Sequence, residues 1–90
     1  MINIDKITGI YKITNKINNK CYIGQSIDIY RRFEEHKYTS RTSKYLHNSM
    51  IKYNIDNFKF EIVEECDKPM LSEKERYWIK YYKFYRSKWI

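Results

Sequence analysis

Apolar and polar residues alternate along two short stretches near the start of the chain, Ile7-Thr8-Gly9-Ile10-Tyr11-Lys12-Ile13 and Lys20-Cys21-Tyr22-Ile23-Gly24. Period-two alternation is the pattern of half-buried strands. The Asn18-Asn19 pair between them suits a two-residue type I′ turn, so the two stretches predict a β-hairpin. Such a turn pairs Ile13 with Gly24 and puts Tyr11 and Tyr22 on one face, a parity that a four-residue loop would keep. From Asp28, a candidate N-cap, the period changes to that of a helix running to about Tyr38, with Ile29, Arg32, Phe33 and His36 on its inner stripe. Ser43 can start a second helix with Leu46, Met50 and Tyr53 inward, ending near Asn54, which tolerates a left-handed turn. Alternation returns from Asn57 to Glu64, with Phe58, Phe60 and Ile62 on one face. Pro69 then suits the first turn of a last helix with the stripe Leu71, Glu75, Trp78, Ile79 and Tyr82. The order β-β-α-α-β-α predicts an α+β domain, a small three-stranded antiparallel sheet flanked by helices.

Residues 1–90 hold two glycines, one proline and no repeat or low-complexity tract, so a single continuous domain is expected. Eighteen Lys and Arg against eleven Asp and Glu leave a net charge of +7, which favours a polyanion or an acidic membrane as partner without choosing between them. The basic residues are spread along the chain, and neither an 18-residue apolar run nor a signal-peptide core follows the polar start. A soluble, cytoplasmic protein without membrane contact is therefore expected. Cys21 and Cys66 lack CxxC spacing; they read as buried thiols rather than as zinc or haem ligands. The chain's ten tyrosines accompany an excess of Ile, Lys and Asn, so only placement can promote any one of them to a functional role.

Arg32 and Glu75 are the residues whose placement asks for an account. Each is ionisable on an otherwise apolar stripe, and a buried charge costs several kcal/mol unless paired. Two explanations are structural: an internal Arg32–Glu75 ion pair, or a capping box of Glu75 with Ser72. The third is a shared concavity in which the guanidinium grips a phosphate and the carboxylate holds a metal.

The pattern as a whole resembles the GIY-YIG nuclease family. Gly9-Ile10-Tyr11 and Tyr22-Ile23-Gly24 match its two name-giving motifs at the family's usual separation. The segment from Gln25 to His36 looks like the family's helix with its Arg and following His, and the inner stripe selects Arg32 over Arg31. Asn57–Glu64 resembles the third strand, and Glu75-Arg76-Tyr77-Trp78-Ile79 the helix that carries the metal-binding Glu. One triplet alone would occur by chance; four elements in order over residues 7–82 are specific. The resemblance implies a DNA endonuclease that hydrolyses phosphodiesters with one divalent metal ion.

In that reading Glu75 is the metal ligand, and a single carboxylate with waters suits Mg²⁺, with Mn²⁺ as substitute, better than zinc. Arg32 contacts the scissile phosphate, and Tyr11 is general base or water-orienting phenol. Because the reference pKa of a phenol is about 10, Tyr11 needs nearby positive charge for that work. Tyr22 holds phosphate or water, and His36 orients Tyr11. Lys12, Lys16, Lys20 and Lys37 are candidates for neutralising DNA, while His47 matches no family position and is assigned to the surface. The family commonly has an Asn soon after the last helix, whereas this chain ends Tyr85-Arg86-Ser87-Lys88-Trp89-Ile90. That departure leaves a catalytically weak or inactive binding module of the same fold as the alternative. With no added DNA-reading element evident, a homodimer or a partner protein is expected to supply specificity.

Overall fold

The computed structural model describes residues 6–38 and 43–85, the last two by backbone alone. Three strands, β1 (Gly9–Asn15), β2 (Cys21–Ser26) and β3 (Phe58–Glu65), form one antiparallel sheet in the order β2-β1-β3. Helices α1 (Ile29–Tyr38) and α2 (Lys44–Tyr53) fall between β2 and β3, and α3 (Leu71–Tyr85) follows β3. The α+β class and the element order are those the periodicity predicts.

Because side chains alternate across a strand, β1 feeds two cores at once. Tyr11 and Ile13 face one side and pack with Ile29 and Phe33 of α1, Leu46 and Met50 of α2, and Phe58. Ile10 faces the other side and packs with Ile23 of β2 and Leu71 of α3, joined by Val63, Trp78, Ile79 and Tyr82. The sheet therefore sits between α1 and α2 on one face and α3 on the other.

The hairpin register differs from the predicted one. Tyr11 pairs with Gly24 and Ile13 with Tyr22, and Asn15 N–H donates to the Lys20 carbonyl, so the loop has four residues instead of two. Its shape comes from asparagine side chains. Asn15 Oδ1 accepts from Ile17 N–H, Asn18 Oδ1 accepts from Lys20 N–H, and only Asn19 takes a positive φ, 61°. Parity survives the shift, so Tyr11 and Tyr22 still share a face.

Both helix starts follow the sequence. Asp28 Oδ1 accepts from Arg31 N–H, and Ser43 Oγ from Leu46 N–H. Asn54 ends α2 at φ 71° and ψ 129°, a positive φ as expected but without the ψ of a left-handed turn. Pro69 lies in a 3₁₀ turn, Lys68–Met70, that precedes α3 instead of inside its first turn. The pairing of β1 with β3 slips by one residue between Ile10 and Tyr11, opposite Val63. Alternation turns Phe58, Phe60 and Ile62 toward α1 and α2 and Val63 toward α3, and the bulge keeps Glu64 on the α3 side as well, where its carboxylate accepts from Trp78 Nε1–H. Cys21 is buried, but Cys66 is only partly so, a correction to the expectation of two buried thiols.

Candidate active site

Two glycines explain why the site can be this dense. Neither has a positive φ; each is required by close approach instead. A Cβ on Gly24 would lie 2.4 Å from Cζ and Oη of Tyr11, its cross-strand partner, so the bare strand is the floor on which that phenol rests. A Cβ on Gly9 would meet the Glu64 carbonyl oxygen at 2.1 Å, which leaves only glycine able to pair there beside the bulge.

Tyr11 is 1% exposed and ringed by aromatic edges, with Phe33 at 5.4 Å, His36 at 5.6 Å and Tyr22 at 6.3 Å between ring centroids. Its hydroxyl lies 2.7 Å from His36 Nε2 and is also hydrogen-bonded to the Arg32 guanidinium and to Tyr22. Burial and the Arg32 cation hold the His36 pKa down at about 4, against a smaller upward pull from Glu35. The imidazole is therefore neutral at pH 7, and its Nε2 accepts from the Tyr11 hydroxyl in the tautomer protonated at Nδ1 and donates to it in the other. Burial pushes the Tyr11 phenol well above the ordinary range, with Tyr22 adding to the rise and Glu75 contributing too; Arg32 pulls the other way without winning. The positive charge that sequence reasoning asked for is present, yet burial outweighs it. Tyr22 is also raised, by burial first and by Glu75, against Arg32.

Arg32 is the outward-looking member. About a third of its side chain is exposed, and its Nη1 lies 3.2 Å from Oε1 of Glu35, one helical turn on. Burial works against its charge, but bonds to Tyr11 and Glu35 more than offset this. With Gln25, Ser26, Ile27, Asp28, Arg31 and Glu35 it lines an open cleft of about 350 Å³.

Glu75 approaches from the far face of the sheet. It lies one turn beyond the core residue Leu71 on α3, is half-buried, and is hydrogen-bonded to Gln25 of the edge strand β2. Burial raises its pKa, and the Gln25 bond holds the rise back. Its charge still acts on both Tyr11 and Tyr22, so the carboxylate is within electrostatic range of the phenols. Among the described residues Arg32 pairs with Glu35 and not with Glu75, which removes the internal ion pair as an account of the two stripes. Sequence reasoning missed Gln25 and Glu35. The available signals were Gln25's place in the alternation, facing α3 next to Gly24, and Glu35's i+3 spacing from Arg32.

Of the lysines named from sequence, Lys12 faces α3, 3.6 Å from Glu61 and over the Tyr82 ring, away from the cleft. Lys37 lies over the Phe60 ring, while Lys16 and Lys20 are exposed at the hairpin end. His47 is partly buried and lines a separate groove with Met50 and Ile51. The C-terminal segment 86–90, where the family Asn was sought, lies outside the described residues.

The donors near Glu75 are hard oxygens, from a carboxylate, a carboxamide and phenols. No cluster of three or more His, Cys, Asp or Glu occurs among the described residues. Such a set fits a hard divalent cation that keeps most of its waters, and does not fit zinc.

A glycine-floored tyrosine pair, an arginine from the first helix and a carboxylate from the last define a class. The model of the GIY-YIG catalytic domain matches residues 7–88, and the chain belongs to that family. The catalytic domain of the homing endonuclease I-TevI superimposes with a TM-score of 0.72 at 31% identity, covering 91% of this chain and 95% of that one. A mutant of the same I-TevI domain gives 0.73 at 29% identity, covering 93% and 92%. Intron-associated endonuclease 1 of Enterobacteria phage T4 is 34% identical over 79 residues, which is 81% of this chain and 32% of the phage protein. The Neurospora crassa protein named "Probable intron-encoded endonuclease 1" is 39% identical over 56 residues, 62% of this chain and 18% of the fungal protein. The chain thus spans about a third or less of these full-length relatives. Among the described residues no helix is long and apolar enough to cross a membrane.

Proposed function

We propose that this chain is a DNA endonuclease domain that hydrolyses phosphodiester bonds and depends on one divalent metal ion, Mg²⁺ or Mn²⁺, held by Glu75. The observation that carries this reading is the hydrogen-bonded cluster of Tyr11, Tyr22, Arg32 and His36 with the Glu75 charge acting on both phenols. Names of relatives and family membership support the same activity.

Hydrolysis needs an oriented water, neutralisation of charge growing on phosphate oxygens, and help for the leaving alkoxide. The exposed Arg32 fork binds the scissile phosphate, while Glu35 and Tyr11 fix the direction of the guanidinium. Tyr22, less buried than Tyr11, meets the phosphate or the water at the mouth of the site. Tyr11 lies behind it, hydrogen-bonded to neutral His36, which fixes the phenol oxygen beside Arg32 and Tyr22. Glu75, with Gln25 beside it, would hold the cation, which supplies Lewis-acid stabilisation of the phosphate and leaving oxygens when bound.

The test is nicking of supercoiled plasmid with Mg²⁺ or Mn²⁺. Arg32→Ala and Glu75→Ala are each expected to lose about 10²-fold or more in rate, the usual cost of removing one group that stabilises transition-state charge. Metal-dependent nicking that both variants retain would remove the assigned centre. A parent protein that binds DNA without cutting it would favour a non-cleaving module.

A further inference from the structure

We infer that Gln25 is the positioning residue for Glu75, and that its carboxamide sets the direction of the carboxylate at the end of β2. The inference rests on the reading of Glu75 given above. Three observations converge on it. Gln25 pairs with Ile10, so the alternation of β2 points it, like Ile23, toward α3. Its side chain is the hydrogen-bonding partner of Glu75. Gln25 is also one of the residues lining the cleft shared with Arg32 and Glu35, so the Glu75 contact adjoins the Arg32 cleft.

The chemistry explains why an amide suits this position. A half-buried carboxylate on a helix has rotamers that bury it further against the sheet and rotamers that turn it outward. A carboxamide N–H bonded to one oxygen selects among these rotamers and leaves the other oxygen's lone pairs for a cation. A lysine would pair with the carboxylate and compete with the cation by charge, and an apolar residue would leave the carboxylate desolvated and undirected. A neutral donor does neither. The glycine before Gln25 keeps the phenol floor flat, so consecutive residues of β2 serve the two halves of the centre on opposite faces.

The experiment compares Gln25→Met, which keeps length and packing but removes the donor, with Gln25→Asn, one methylene short, and with Glu75→Ala. Mn²⁺ binding to the DNA-free protein is followed by electron paramagnetic resonance, alongside the Mn²⁺ dependence, kcat and KM of nicking. Changes in partners of a metal ligand commonly cost about 10- to 100-fold in affinity or activity. Gln25→Met is therefore expected to weaken Mn²⁺ binding about 10-fold and to lower kcat while KM for DNA and the unfolding midpoint hold. Gln25→Asn is expected to fall in the same direction. Unchanged Mn²⁺ affinity in Gln25→Met, with affinity lost in Glu75→Ala, overturns the positioning role alone. Unchanged affinity in both overturns the assignment of Glu75 and the positioning role with it.

Discussion

At the scale of single residues, the site is built from a missing side chain as much as from those present. Gly24 has an ordinary backbone conformation, so alanine there would be harmless were it not for the Tyr11 ring 2.4 Å from its Cβ. That ring is held by Phe33 and His36 and cannot swing aside without unmaking the hydroxyl's bonds. Overpacking a fitted core costs about 1–3 kcal/mol. Gly24→Ala is expected to lower stability by that amount in urea unfolding and to lower nicking by more than the stability loss explains. Equal stability and activity would sink this account of the motif. His36 supplies a prediction of pH dependence. Its folded pKa, about 4, is below the ordinary value of about 6.5, so the unfolded chain binds the proton first as pH falls. Stability is therefore full above about 6.5 and declines as pH drops toward 4, by at most about 3 kcal/mol from this residue. Exposed carboxylates titrate in part of the same window, so the measurement is a difference: the pH slope of unfolding free energy in wild type minus that in His36→Gln. A difference near zero between pH 6.5 and 4 would refute the neutral, buried imidazole.

Among the elements, periodicity shows its reach and its limit. Faces were legible because burial imposes a period: Leu46 and Met50 on α2, Phe58, Phe60 and Ile62 on β3, and Leu71, Trp78 and Ile79 on α3 all turn inward as read. The hairpin register was not legible, because two- and four-residue loops give the same face pattern. The choice was made by asparagine side chains bonding to nearby N–H groups, a local preference that hydrophobic spacing does not record. The bulge at Val63 was hidden for a related reason. It carries no glycine and is defined only by how β3 pairs with β1, which one strand's sequence cannot express. Arg32 and Glu75 were legible as misfits on apolar stripes, and the family motifs told which explanation to favour. Their actual partners, Glu35 and Gln25, depend on how α1 and α3 sit around the end of β2, a tertiary fact that spacing along the chain does not hold.

For the whole molecule, the question is how a small domain with a net charge of +7 meets a polyanion. Composition overstates the charge on offer, because Lys12, Lys59 and Lys74 already face carboxylates of β3. Arg32 is paired too, but with a half-buried Glu35 beside the open cleft, and pairs this accessible to solvent are weak enough for a phosphate to compete with them. Binding to duplex DNA in the presence of EDTA is therefore expected to weaken linearly on a plot of log affinity against log salt, with a slope of about 0.9 per phosphate neutralised. Arg32→Ala is expected to lower that slope by about 1, because one phosphate contact is lost, and to weaken binding about equally on unrelated sequences. Fluorescence anisotropy of labelled duplexes across a salt series makes the measurement. Glu35→Gln provides the counterpart: it removes the competing carboxylate while leaving the guanidinium in place, so affinity should rise with the phosphate count unchanged. A slope that Arg32→Ala leaves untouched would mean that DNA lies on another face of the protein, away from the cleft between α1 and the end of β2.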